Sequence, residues 1–122
     1  MPGKTRGQAE AEITKAIIKL EKEYMGRGPV ETRTFFLNDM IVVRLRGILT
    51  QAELKLAESP EGQILVKETR RQLFESSRSL LEDIVSDIVG CGIISLHTDM
   101  STRTGERIIV LTVDTNLDNL FD

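Results

Sequence analysis

Val30-Glu31-Thr32-Arg33-Thr34-Phe35-Phe36-Leu37-Asn38-Asp39-Met40-Ile41-Val42-Val43-Arg44-Leu45-Arg46 is the stretch on which the fold turns. Over residues 30–36, Glu31, Arg33 and Phe35 alternate with Thr32, Thr34 and Phe36. Over 40–46, Ile41, Val43 and Leu45 alternate with Val42, Arg44 and Arg46. A period of two among β-branched and aromatic residues is the signature of a strand with two unlike faces. Asn38-Asp39 between the runs tolerates positive φ and closes a tight turn, so the stretch reads as a β-hairpin.

Upstream, residues 8–25 change period. Ile13, Ile17, Leu20 and Tyr24 mark one face of a helix, with Lys15, Lys19 and Lys22 mostly on the other. Gly26-Arg27-Gly28-Pro29 stops it: glycine suits the left-handed cap and proline forbids continuation. Residues 1–7 read as a flexible arm. Downstream, Thr50 and Glu53 have capping-box spacing and open a short helix to about residue 58. Ser59-Pro60-Glu61 starts a second helix, and nothing breaks its pattern until Gly90-Cys91-Gly92. Thirty residues at ~1.5 Å each span about 45 Å, so this helix is expected to project or to pack on a second subunit. Leu73, Leu80, Ile84 and Ile88 read as its apolar stripe, a core or dimer seam, backed by Val66, Leu81 and Val85. Residues 93–100 and 107–113 then form a second hairpin around a polar turn, and 114–122 is a short tail.

The resulting order is α-β-β-α-α-β-β: an α+β domain whose four-stranded, mainly antiparallel sheet carries helices on one face. Its halves rhyme. Gly26 and Gly28 sit 64 positions before Gly90 and Gly92, which sets Arg33 on His97 and Phe35 on Asp99. Allowing for a longer second turn, Ile41-Val42-Val43 falls on Ile108-Ile109-Val110. Duplication of an αββ unit and convergence of two helix–hairpin units both account for this.

The 122 residues make about one domain, and the apolar share of 40 % with 29 % charged residues is that of a folded chain. Sixteen Lys and Arg against 19 Asp and Glu give a net charge of −3, which argues against binding nucleic acid by bulk phosphate neutralisation. One Cys and one His exclude an internal disulfide and the usual multi-Cys or multi-His metal centres, and no cofactor is expected. No apolar run approaches the ~20 residues needed to span a bilayer, and no N-terminal signal is visible. A cytoplasmic domain is expected.

Ser95, His97 and Asp99 share one strand face, with Ile94, Leu96 and Met100 on the other. A histidine beside a carboxylate is a candidate acid/base pair. Side chains at i and i+2 of a strand stand about 7 Å apart, however, which favours a ligand contact over catalysis. The turn Ser101-Thr102-Arg103-Thr104-Gly105-Glu106 offers hydroxyls, a glycine and a guanidinium that would suit a small anion, though any hairpin turn is polar. His97, Asp99, Arg103, Thr104 and Gly105 are therefore candidate ligand contacts. Leu73, Leu80 and Ile84 are the candidate dimer contacts. Arg44 and Arg46 share a strand face and are candidates for an acidic partner or lipid head groups, or a solvated surface balanced by glutamates. Cys91 has no charged neighbour in sequence that would clearly activate its thiol.

Three blocks, Gly3-Lys4-Thr5-Arg6-Gly7, Glu23-Tyr24-Met25-Gly26-Arg27-Gly28-Pro29 and Leu96-His97-Thr98-Asp99-Met100-Ser101 with Thr104-Gly105-Glu106, run in order along nearly the whole chain. In them the chain resembles the bacterial MpsC family, formerly a domain of unknown function. The family is named for a Na+-translocating, membrane-potential-generating system and is associated with inorganic-carbon uptake. The resemblance implies a non-enzymatic accessory or regulatory protein of a membrane ion or inorganic-carbon transport system, peripheral at the inner membrane face, with a membrane transporter subunit as partner; a homodimer through the long helix or the open sheet face is expected from the residues themselves. It carries over no catalytic residue, and its motif positions add Thr98 and Arg27 to the candidate ligand contacts. The competing expectations are a small enzyme using His97 and Asp99, and a purely structural dimerisation module.

Overall fold

Thr5 caps the first helix. Its Oγ1 accepts from the Gln8 amide at 3.1 Å, and Gln8 Oε1 accepts from the Thr5 amide at 2.9 Å. In the computed structural model, which describes residues 3–121, this reciprocal box starts α1 (Arg6–Met25), two residues earlier than the hydrophobic pattern suggests. Of the expected flexible arm, residues 1–2 lie outside the described residues, while Arg6 and Gly7 form the first helical turn. β1 (Glu31–Leu37) and β2 (Met40–Arg46) follow, with Asn38 at φ 57° in the turn. α2 (Gln51–Leu56) opens on the expected Thr50–Glu53 box and ends two residues short of the expected 58. α3 (Pro60–Val89), capped by Ser59, is the expected long helix, and β3 (Ile93–Met100) and β4 (Arg107–Val113) form the second hairpin.

The sheet order is β1-β2-β4-β3, antiparallel throughout, with α1 and α3 packed on each other over one face. The core lies between: Ile13 and Ile17 from α1, Phe74, Leu81 and Val85 from α3, and Ile41, Val43, Leu45, Ile109, Leu111 and Val113 from the two central strands. Burying a Leu, Ile or Val side chain is worth about 1.5–3 kcal/mol, so these residues dominate the stability. The tail docks as a 3-10 turn: Leu117 is fully buried, and Phe121 meets Phe36 with ring centroids 5.5 Å apart. Helix side chains engage the backbone of each edge strand at one residue. Glu10 accepts the Phe36 amide and Arg6 donates to the Phe36 carbonyl on β1, while Arg78 donates to the Leu96 carbonyl on β3.

Four expectations are corrected. The core face of α3 is Val66, Arg70, Phe74, Ser77, Leu81, Val85 and Val89, one residue out of phase with the expected Leu73–Leu80–Ile84 stripe. Leu80 is 41 % exposed, and Leu73 and Ile84 are half-buried. The heptad-like pattern has two adjacent apolar lanes, and the sheet takes the one that also carries Arg70. On α1 the stripe ends on buried Glu21 rather than Tyr24, which is exposed. On β3 a bulge between Ile93 and Ser95 turns Ile94 out to solvent, away from Leu96 and Met100. The half-repeat holds through helix, glycine cap and first strand: Gly26 (φ 85°) and Gly90 (φ 74°) both end their helices in the left-handed region. It fails in its second strand. Ile41 faces the helices but Ile108 faces away, so that correspondence is out of phase by one residue.

Candidate functional site

Arg107 opens β4, and the alternation Arg107, Ile109, Leu111, Val113 sends all four side chains to the helix face. An arginine there is out of place, since charged side chains are almost never fully buried unless paired. Arg107 is 3 % exposed. Its Nη1 donates to Thr98 Oγ1 at 2.9 Å, its guanidinium carbon lies 4.8 Å from the Phe74 ring centroid, and its Nε is buried without a partner. The ring face offers a cation–π contact. No carboxylate lies within ion-pair distance of it among the described residues. Burial pushes the Arg107 pKa down against the opposing field of Glu21, and burial likewise raises the Glu21 carboxyl against the fields of Arg107 and Arg70.

This guanidinium forms part of the wall of a cleft of about 380 Å3 between α3 and the outer end of β3. The apolar walls are Ile64, Phe74 and Met100, with Thr98 beside Arg107. The rim is made of ion pairs. Lys67 meets Asp99 at 3.2 Å, and Arg71 meets Glu68 at 2.7 Å. The remaining acid, Glu75, is paired outside the cleft with Arg78 at 2.9 Å. The Met100 amide and Lys67 hold Asp99 below the usual carboxylate range, and Arg71 with Gln72 brings Glu68 to about 2. With the rim charges matched, Arg107 is the lining cation without an ion pair among the described residues, set against the field of buried Glu21.

The ligand contacts expected from sequence are divided among four locations. Thr98 and Asp99 line the cleft. His97 lies on the opposite sheet face, its Nε2 3.1 Å from Ser95 Oγ, and no hydrogen bond joins it to Asp99. Arg103 and Thr104 stand exposed in the turn, where their amides donate to Ser101 Oγ, and the Gly105 carbonyl accepts from Ile48. Arg27 lies elsewhere, clamping the loop after β2 by donating to the carbonyls of Leu49 and Gly47 at 3.0 and 3.1 Å. Arg44 and Arg46 both face Glu106, at 2.5 and 3.9 Å. Leu80 and Ile84 border a groove with Ala16, Lys19 and Leu20 of α1. Sequence reasoning missed Arg107, Phe74 and Lys67. The available signal was the charge at a buried position of a period-two strand.

The second surface of note is the open sheet face. One row crosses it as Phe35, Val42, Val110 and His97, and the next as Arg33, Arg44, Ile108 and Asp99. Phe35, Leu37 and Ile94 are 46, 54 and 67 % exposed. Among the described residues, no group of three His, Cys, Asp or Glu side chains is placed to hold a metal ion, and no helix is long and apolar enough to cross a membrane. The Cys91 thiol is half-buried, and burial, aided by Asp114, raises its pKa, the opposite of activation.

Residues 5–115 match the family model described as Na+-translocating membrane potential-generating system (MpsC). The uncharacterized protein YbcI of Bacillus subtilis (strain 168) is 46 % identical over 115 residues, covering 94 % of this chain and 93 % of that protein. A second protein of the same organism, the uncharacterized protein YrhF, is 29 % identical over 108 residues and 88 % of each chain. No solved structure matches. A family model spanning almost every element, from the cap of α1 to the end of β4, shows that the chain belongs to the MpsC family.

Proposed function

We infer that this chain is a non-enzymatic accessory or regulatory protein of the family's membrane-potential-generating system, acting at the cytoplasmic face of the membrane. The observation that carries the reading is the family match over a domain in which, among the described residues, no helix is long and apolar enough to cross a membrane. Ion translocation then belongs to a membrane-embedded partner, and this chain works by docking to it. The open sheet face supplies the contact. Its apolar row of Phe35, Val42 and Val110 is flanked by Arg33, Arg44 and Arg46 and is free of the helices. The acid/base reading loses ground because His97 engages Ser95 and Asp99 engages Met100 and Lys67.

The test is the Na+-dependent part of the membrane potential in a host lacking the gene, read with a voltage-sensitive dye. Wild type restores it, and Phe35→Asp, folded by circular dichroism, does not. An unchanged Na+-dependent potential in the deletion strain overturns the reading.

A further inference from the structure

Arg107 presents an energetic problem that the fold itself leaves open. A guanidinium has five N–H donors, and this one makes a single hydrogen bond to protein, to Thr98, while its Nε is buried unpaired. Leaving a buried donor unsatisfied carries a cost of about 1–3 kcal/mol, more for a charged group. Ring contact with Phe74 offsets part of it. The acid nearest in effect, Glu21, makes no ion pair with it. The cleft that this guanidinium borders has a volume of about 380 Å3, at the lower end of the ~300–1,000 Å3 of ligand pockets.

We propose that the α3–β3 cleft is a binding site for a small organic monoanion, a carboxylate with a compact apolar body, whose charged end is neutralised by Arg107. Charge counting sets the valence. Among the lining side chains Lys67 is matched by Asp99, Arg71 by Glu68 and Glu75 by Arg78, leaving Arg107, whose charge the field of buried Glu21 opposes without an ion pair, to meet the ligand. A dianion would face the acidic rim of Glu68, Glu75 and Asp99 with its second charge uncompensated. The walls set the body. Ile64, Phe74 and Met100 give apolar surface that an inorganic anion cannot use. Planar pairing of a carboxylate with a guanidinium is the strong, charge-assisted form of this contact. The site stands on geometry alone and is independent of the family reading, so either can fail without the other.

Amide-resolved NMR titration of the intact chain tests it, with benzoate and hexanoate as probes and benzamide and inorganic phosphate as comparisons. Both carboxylates are expected to shift the amides of Thr98, Met100 and Arg107 saturably. Benzamide and phosphate bind at least about ten-fold more weakly, as loss of a charged hydrogen bond or of the apolar contact requires. Arg107→Met removes carboxylate binding. Ile64→Glu, at a position 72 % exposed and thus safe for folding, also removes it by placing a negative charge at the mouth. Arg103→Ala leaves it unchanged. No saturable shift with either carboxylate, phosphate binding as tightly as benzoate, or benzoate binding retained in Ile64→Glu overturns the proposal.

Discussion

The guanidinium of Arg107 lies 4.8 Å above the ring centroid of Phe74, and the two side chains, both at least 97 % buried, join the sheet to the middle of α3. They contribute to stability with opposite signs. Phe74→Ala empties a core position and is expected to destabilise by about 3–5 kcal/mol. Arg107→Met keeps length and apolar contact while removing a desolvated cation, and is expected to be neutral or stabilising by up to about 1–4 kcal/mol. Urea denaturation of both variants checks this; a loss above about 3 kcal/mol in Arg107→Met would mean that the cation is held by the protein itself.

Arg70 and Glu53 form the complementary case. Arg70, 2 % exposed, donates Nε and Nη2 to Glu53 at 2.7 and 2.5 Å and Nη2 to the Ile48 carbonyl at 3.0 Å, tying the β2–α2 loop to α3. Burial pushes the Glu53 pKa up, but the hydrogen bonds from Arg70 and Thr50 outweigh it and the net shift is down. The pair therefore stabilises fully above the ordinary carboxylate range, and that contribution is lost as pH falls through the lowered value. Glu53→Gln leaves Arg70 buried without its charge partner and is expected to cost about 3 kcal/mol at neutral pH. It should also flatten the acid limb of a stability–pH profile; an unaltered acid limb contradicts the assignment.

Glu21 has the reverse linkage. Its pKa is raised above 4.5 chiefly by burial, so the folded state binds more protons than the unfolded chain between the ordinary and raised values. Stability falls as pH rises through that window. Glu21→Gln is expected to raise the melting temperature at neutral pH, with the gain vanishing below the ordinary glutamate range. Melting curves collected from about pH 4 upward to about pH 8, starting at the ordinary carboxylate range, measure the crossover. A variant less stable than wild type at neutral pH would show instead that the Glu21 charge is required by Arg107 and Arg70.

Gly62 tests the packing of α2 on α3. A Cβ at this position would lie 1.7 Å from the Leu56 carbonyl oxygen, which is backbone and cannot swing aside. Helix propensity alone favours Gly62→Ala by about 1 kcal/mol. The close approach reverses the sign, and a loss of about 1–3 kcal/mol is expected from forced backbone displacement. Thermal unfolding decides between them.

Much of the architecture was readable because its local signals agree. Thr50 with Glu53, Ser59 with Pro60, and Asn38 in its turn all act where local chemistry predicts. The phase of α3 was not readable. Leu80 and Leu81 are adjacent and equally apolar, and only packing on the sheet decides that Leu81 is 2 % exposed and Leu80 41 %. The bulge at Ile94 is a property of pairing with Val113 and Thr112, invisible in the strand's own residues. The candidate site was half readable. Thr98 and Asp99 lie in the cleft, but its charge comes from Arg107 and its walls from α3, more than twenty residues away in sequence. The two lanes of α3 are separable by experiment: Leu81→Ala is expected to cost about 2–5 kcal/mol and Leu80→Ala under about 0.5. If Leu80 and Ile84 instead form a dimer seam, Leu80→Glu lowers the molar mass seen by light scattering.

The most direct measurement of the central claim is affinity capture of the tagged chain from gently solubilised membranes of its own host, with partners identified by mass spectrometry. Wild type, Phe35→Asp and Arg103→Ala are run in parallel. The account predicts recovery of an ion-translocating membrane subunit with wild type and Arg103→Ala, and its loss with Phe35→Asp, whose substitution lies on the open sheet face. Recovery of no such subunit with the wild-type chain, or equal recovery with Phe35→Asp, would contradict it.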